Sequence, residues 1–98
     1  MAYQIKFTKK AEIEFESLDN SIKLNIEKRL KKLISVENPR VFGESLRGDL
    51  AGYWKYRVDD YRIIAEIYDD KLIIMVVAID HRRKVYKKLS KRLKDQNL

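Results

Sequence analysis

A chain of 98 residues can build one compact core and not two, so a single domain spanning residues 1–98 is expected. Its 22 Lys and Arg against 15 Asp and Glu leave a net charge of +7, which favours polyanions as partners. No cysteine and a lone histidine, His81, set aside disulfide, thiolate and zinc chemistry, while the longest apolar run, "LIIMVVAI" at 72–79, has strand dimensions and no signal-peptide core precedes it, so a soluble cytoplasmic protein without a membrane span is expected.

Tyr3, Ile5 and Phe7 alternate with polar neighbours, the period of a half-buried strand. Thr8 is placed to cap a helix in which Ala11, Phe15 and Leu18 recur at helical spacing, and Asp19-Asn20 breaks it and offers caps for the next. In that second helix Ile22, Ile26, Leu30 and Leu33 share one stripe, with Asn38 and Pro39 as its predicted end. Beyond residue 44 the pattern changes to strands. Gly48 and Gly52 bracket a short loop, Tyr53–Val58 reads as a strand, Asp59-Asp60 as a turn, Tyr61–Tyr68 as the next strand, Asp69-Asp70 as another turn and Lys71–Ile79 as a third strand. From Lys84 to Lys94, Tyr86, Leu89 and Leu93 fall at helical spacing among basic residues, which predicts a short amphipathic helix. The predicted fold is α+β: a small antiparallel sheet of about four strands in the order β-α-α-β-β-β, an N-terminal helical hairpin on one face, a short basic C-terminal helix, and the other face open.

A two-residue turn at Asp59-Asp60 sets Val58 opposite Tyr61, Arg57 opposite Arg62 and Lys55 opposite Ile64. Trp54, Tyr56, Val58, Ile63, Ala65 and Ile67 then face the helices, and Lys55, Arg57 and Arg62 share the other face, with Val77 and Ile79 expected beside Arg62. Like charges directly opposite one another are destabilising. Either Glu66, Asp49 or the turn aspartates neutralise the cluster, or all three side chains extend into water, or a polyanion supplies the missing charge, gripped by planar guanidiniums. The strand-to-helix segment His81–Tyr86 is expected to close over this face. Tyr86 is open to two readings, as core on the Leu89 and Leu93 stripe or as a ring presented to a base.

With "SLRGDLAGYWKYRVDDYRIIAEI" followed by "AIDHRRKVY", the chain resembles the RelE/ParE superfamily of toxins, most of all its RelE-like ribosome-dependent mRNA endonucleases. The resemblance runs from the first strand through Tyr86 and is carried by "LRG" at 46–48, "YR" at 61–62, the apolar last strand and "HRRKVY". It implies cleavage of mRNA in the ribosomal A site by attack of a ribose 2′-hydroxyl on the adjacent phosphate, without a metal or other cofactor. It implies as partners the ribosome with its mRNA and a cognate RelB-like antitoxin, in a toxin–antitoxin hetero-oligomer.

The resemblance also assigns roles. Lys55 falls on a lysine proposed as general base or phosphate ligand and Arg57 on a second lysine; Arg62 falls on an arginine that holds the scissile phosphate. Arg82, with Arg83 the less close match, falls on an arginine that stabilises the phosphorane, and Tyr86 on a tyrosine that stacks on the codon. Arg47, His81, Arg83 and Lys84 are the implied further RNA contacts. Clustered cations suit a transition state that gathers negative charge on phosphate oxygens. Arg57 departs from the pattern: an arginine holds phosphate but accepts protons poorly, so base duty falls on Lys55. No imidazole follows Tyr86, which leaves His81 as a general acid or, the preferred reading, as a residue that orders its loop. Two alternatives share the fold: a ParE-like inhibitor that binds DNA gyrase and cuts no RNA, and an inactive nucleic-acid-binding relative.

Overall fold

In the computed structural model, which describes residues 3–96, the alternating N-terminal segment forms strand β1 (Gln4–Phe7). Thr8 turns the chain into helix α1 (Lys9–Glu16), its Oγ1 accepting the Ala11 N–H at 3.2 Å. Helix α2 (Asn20–Ile34) follows after Asp19 and buries Ile26, Leu30 and Leu33, the predicted stripe. It stops earlier than Asn38-Pro39 because Ser35 closes the last turn: its N–H and its Oγ both donate to the Lys32 carbonyl, the hydroxyl at 2.7 Å. Asn38 and Pro39 instead begin a short 3-10 turn, Pro39–Phe42, capped by the Asn38 side chain.

Strands β2 (Glu44–Ser45), β3 (Trp54–Val58), β4 (Tyr61–Tyr68) and β5 (Ile73–His81) and helix α3 (Val85–Gln96) complete the chain, with a second 3-10 turn at Gly48–Leu50. The sheet has five strands in the order β1-β5-β4-β3-β2, not about four, since β2 is too short to show a period in the sequence. Nor is it wholly antiparallel: β1 runs parallel to β5, because the chain leaves β1 through α1–α2 to the far edge at β2 and returns through the β2–β3–β4–β5 meander to lie beside it. The other pairings are antiparallel. The Asp59-Asp60 turn gives the predicted register, Arg57 opposite Arg62 and Lys55 opposite Ile64, with Asp59 at a φ of 54° that aspartate tolerates.

One core lies between the sheet and α1–α2, where Ile26, Leu33, Tyr56, Ile63, Ile74, Val76 and Ile79 are all but inaccessible; each large aliphatic contributes about 1.5–3 kcal/mol by burial. The second face is not open. Helix α3 folds back across it and buries Val85 and Leu89 against Ile64 and Ala78. A bulge between β4 and β5 also breaks strict alternation, Ile64 pairing with Ala78 and Ala65 with Val76, so that Val77 is the extra residue. Val77 therefore joins the α3 side while Ile79 joins the α1–α2 core, which separates two residues expected together beside Arg62. Among the described residues no helix is long and apolar enough to cross a membrane.

Tyr56 locks β3 to the loop before β2: its hydroxyl donates to the Pro39 carbonyl at 3.0 Å, and burial pushes its phenol up to about 12. Gly43 sits against this ring, where an added Cβ would lie 2.7 Å from Tyr56 Cε1 and 3.0 Å from the Lys55 carbonyl oxygen. Gly43→Ala is expected to lower stability by about 1–3 kcal/mol through this clash, read as a lower melting temperature. An unchanged melting temperature would mean that β2 shifts freely.

Candidate nucleic-acid interface

The side of the sheet covered by α3 carries the basic residues. Lys55 and Arg57 project from β3, Arg62 stands beside Arg57 on β4, and Asp80 stands on the far side of Arg62 on β5. Tyr86, in the first turn of α3, is half-buried at the edge of the α3–sheet cluster and holds its ring centroid 5.7 Å from Lys55 Nζ. Part of the ring thus packs, as the core reading expects, and the Lys55 amine lies over the ring.

The repulsion expected of Lys55 and Arg57 is relieved by a residue outside the predicted set. Glu44 on β2 places Oε1 3.2 Å from Arg57 Nη2 and Oε2 3.9 Å from Lys55 Nζ. Neither Glu66, nor Asp49, nor the side chains of the turn aspartates pairs with them among the described residues. With 55% of its side chain exposed, Glu44 is a weak counter-ion, worth at most about 1 kcal/mol, and one that a phosphate can displace.

Arg62 is not the surface group expected. It is 9% exposed, and its Nη1 donates to the carbonyls of Asp59 at 3.0 Å and Tyr61 at 2.8 Å. β4 is an inner strand, and the left-handed Asp59 turn aims its carbonyl back at the guanidinium. No buried side-chain nitrogen or oxygen lacks a partner among the described residues, so Arg62 Nε and Nη2, which donate to nothing among those residues, are the atoms left facing solvent. A planar cation with one nitrogen clamped and two free is pre-oriented for bidentate phosphate binding.

The segment after β5 is pinned beside the β3–β4 turn by the Arg82 N–H, which donates to the Asp60 carbonyl at 2.8 Å. The side chains of Arg82, Arg83 and Lys84 are exposed there. His81 does not join them: it pairs with Tyr61, their rings meeting edge-on at 5.8 Å, on the side of Ile63 and Ile79. Its Nδ1 accepts the Arg83 N–H at 3.4 Å, a contact that shapes the loop and leaves the imidazole away from Lys55 and Tyr86. Arg47 is exposed at the start of the Gly48–Leu50 turn, on the loop after β2. The structure thus groups Lys55, Arg57, Arg62 and Tyr86 on one face, sets Arg82 at its margin, and directs His81 elsewhere.

A half-buried ion network lies on the opposite flank of α3. Lys88 Nζ is 2.5 Å from Asp80 Oδ2 and 2.6 Å from Glu14 Oε2, and Arg92 also donates to Glu14. Burial alone would push the Asp80 carboxyl up, but the Lys88 amine, the His81 N–H and the Lys84 charge together hold it low. Burial likewise opposes the charge on Lys88, and the Asp80 and Glu14 carboxylates overcome it to hold that pKa high. The depressed Asp80 pKa stabilises the fold above its unfolded value of about 3.9, a contribution lost as pH falls through the lower folded pKa. The raised Lys88 pKa contributes below about 10.4 and is lost as pH climbs through the higher folded value. Near-UV circular dichroism should therefore show a loss of tyrosine signal below about pH 4, and Asp80→Asn should shrink it. An identical acid profile for that variant would remove Asp80 from the account. Nothing in the sequence periodicity singles out Glu14, Glu44 or Asp80.

Residues 5–86 match the family described as the ParE toxin of the type II toxin–antitoxin system parDE. The chain is 36% identical to a RelE-like toxin protein of Escherichia coli over 97 residues, covering 96% of this chain and all of that one. It is 29% identical over 96 residues to the mRNA interferase toxin RelE of Escherichia coli, covering 95% and 99% of the two chains. In structure it superposes with a TM-score of 0.75 on a chain of a RelBE toxin–antitoxin complex from Mycobacterium tuberculosis, at 26% identity and covering 83% of this chain and 99% of that one. A family match over most of the chain, full-length relatives and the shared five-stranded architecture lead to one assignment: this protein belongs to the RelE/ParE superfamily of type II toxin–antitoxin toxins, as a RelE-like member.

Proposed function

We propose that the protein is a ribosome-dependent mRNA endoribonuclease that cleaves within the A-site codon and is held inactive by a RelB-like antitoxin. The observation that carries this reading is the pairing of Lys55 with the Tyr86 ring, 5.7 Å away, on the same face as Arg57 and the half-free Arg62 guanidinium. Tyr86 stacks on a codon base and sets the RNA backbone over that face. Lys55, acting as the free amine, takes the proton of the ribose 2′-hydroxyl as its oxygen attacks the adjacent phosphorus. Arg62 Nε and Nη2, with Arg82 and Arg57, receive the charge that builds on the phosphate oxygens, where preorganised donors lower the barrier most. The 5′-oxygen leaves, protonated by water or a neighbouring cation, and a 2′,3′-cyclic phosphate remains. A relative is named an mRNA interferase and a structural neighbour is a toxin–antitoxin complex, which supports both the chemistry and the partner. An antitoxin segment laid on the basic face would neutralise it.

The test is incubation of antitoxin-free protein with ribosomes stalled on a defined mRNA, with breaks mapped by primer extension beside a ribosome-free lane. Cuts confined to the A-site codon and to the ribosome lane are expected. The second reading, a gyrase-binding toxin that leaves RNA intact, is favoured by the ParE description of the matched family, and an uncut message from folded protein would favour it over the first.

A further inference from the structure

We propose that Glu14, on the first helix, is a positioning residue for Tyr86: it clamps one flank of α3 so that the opposite flank holds the tyrosine ring over Lys55. This rests on the endoribonuclease reading for its consequence in activity, though not for its geometry. The clamp arises at a defect in the sheet. β1 ends at Phe7, opposite Val76, and leaves the last part of β5 without a strand on that side. Glu14 fills the gap: Oε1 accepts the Ile79 N–H at 3.1 Å, and Oε2 receives Lys88 Nζ at 2.6 Å and the Arg92 guanidinium. Arg92 also donates from Nη1 to the Val77 carbonyl at 2.7 Å, at the bulge. One carboxylate, whose side chain is 14% exposed, thus ties α1, the edge of β5 and two successive turns of α3.

Helix geometry turns this tether into an orienting device. The buried seam of α3 is Val85 and Leu89, resting on Ile64 and Ala78 with Tyr86 and Leu93 only partly buried beside it, a narrow apolar contact that by itself sets the roll of the helix loosely. Lys88 and Arg92 are one turn apart on the same flank, so holding both prevents the roll. Tyr86 precedes Lys88 by two residues, a rotation of about 200° around the axis, and so emerges on the other flank, toward β3. Releasing Glu14 leaves Lys88 held by Asp80 alone and Arg92 by the Val77 carbonyl alone, and the slack this gives the helix lets the Tyr86 ring shift from Lys55. A displacement of about 1 Å in a catalytic arrangement can cost a hundredfold in rate.

Glu14→Gln keeps the shape but removes the charge and turns amide protons toward cations. Two readouts test it. The first is the NMR shift of the Lys55 ε-methylene, which the Tyr86 ring current displaces in the wild type and which Glu14→Gln should return toward the value in Tyr86→Ala. The second is A-site cleavage, expected to fall about tenfold to a hundredfold in Glu14→Gln, with no further loss when the same substitution is made in Tyr86→Ala. An unmoved Lys55 signal overturns the proposal, and so does a cleavage loss that multiplies fully with that of Tyr86→Ala, since Glu14 would then act by general stability. If Glu14→Gln does not fold, Arg92→Met tests the same flank by the same readouts. A wild type that cuts no mRNA while its Lys55 signal still responds to Glu14→Gln would remove the endoribonuclease reading and leave the clamp standing.

Discussion

Arg62→Ala should abolish A-site cleavage and destabilise the fold together. Arg62 is buried between Arg57 and Asp80 in the middle of the sheet, with Nη1 shared by the Asp59 and Tyr61 carbonyls, so its removal leaves two acceptors of the β3–β4 turn without a charged donor. Charged hydrogen bonds of this kind are worth about 1.5–3 kcal/mol, which lowers the melting temperature of a domain this size by roughly 10 °C. Loss of a preorganised donor to the developing phosphate charge costs about a hundredfold to a thousandfold in rate. The two effects separate by experiment: single-turnover cleavage is measured well below the melting temperature and normalised to the folded fraction from circular dichroism. Arg62→Lys should retain more stability than activity, because an ammonium can serve the turn carbonyls or a phosphate but lacks the planar fork to serve both. Full cleavage per folded molecule in Arg62→Ala would show that the residue is a turn-closing cation and nothing more.

Tyr86→Ala should weaken engagement of the codon by about 5-fold to 150-fold, the equivalent of the 1–3 kcal/mol that stacking on one base supplies. Some stability goes with it, since the ring packs at the margin of the Val85 and Leu89 cluster. Tyr86→Phe separates the two possible uses of the side chain. If stacking and the contact with Lys55 are the role of the ring, phenylalanine keeps cleavage within a few-fold of wild type; a loss as deep as that of alanine would give the work to the hydroxyl instead. Comparing KM with kcat sharpens this, because stacking that places the codon raises KM, while a hydroxyl that moves a proton lowers kcat.

The basic face was legible in outline because its key register was local. A two-residue turn at Asp59-Asp60 leaves one way to align β3 with β4, and that alignment places Lys55, Arg57 and Arg62 on one side. Their environment was not legible. Glu44 neutralises two of them from a two-residue strand with no periodic signature, and Arg62 turned out buried because burial of a strand residue depends on which strands flank it. His81 looked as if it belonged with the arginines that follow it, yet the last strand continues through residue 81 and its pairing with Tyr61 sends the imidazole to the other side. The segment His81–Tyr86 was expected to close over this face and Tyr86 does reach Lys55, but nothing local could say that the whole of α3 would fold back across the sheet to seat it there.

What the sequence determined by itself is what short-range physics controls: Thr8 starting a helix, the stripe of Ile26, Leu30 and Leu33, the β3–β4 turn, and the concentration of positive charge after Asp80. Periodicity, capping and turn chemistry act within a few residues and can be read without knowing the rest. Tertiary structure decided the remainder: the parallel pairing of β1 with β5, the bulge that parts Val77 from Ile79, the seating of α3, and the meeting of Glu14 with Lys88 and Arg92 across more than seventy residues of chain. Those arrangements depend on which buried surfaces and unpaired backbone groups can satisfy one another in space. At the free edge of β5 an N–H without a strand partner found a carboxylate from the first helix, and that requirement exists only once the sheet has formed.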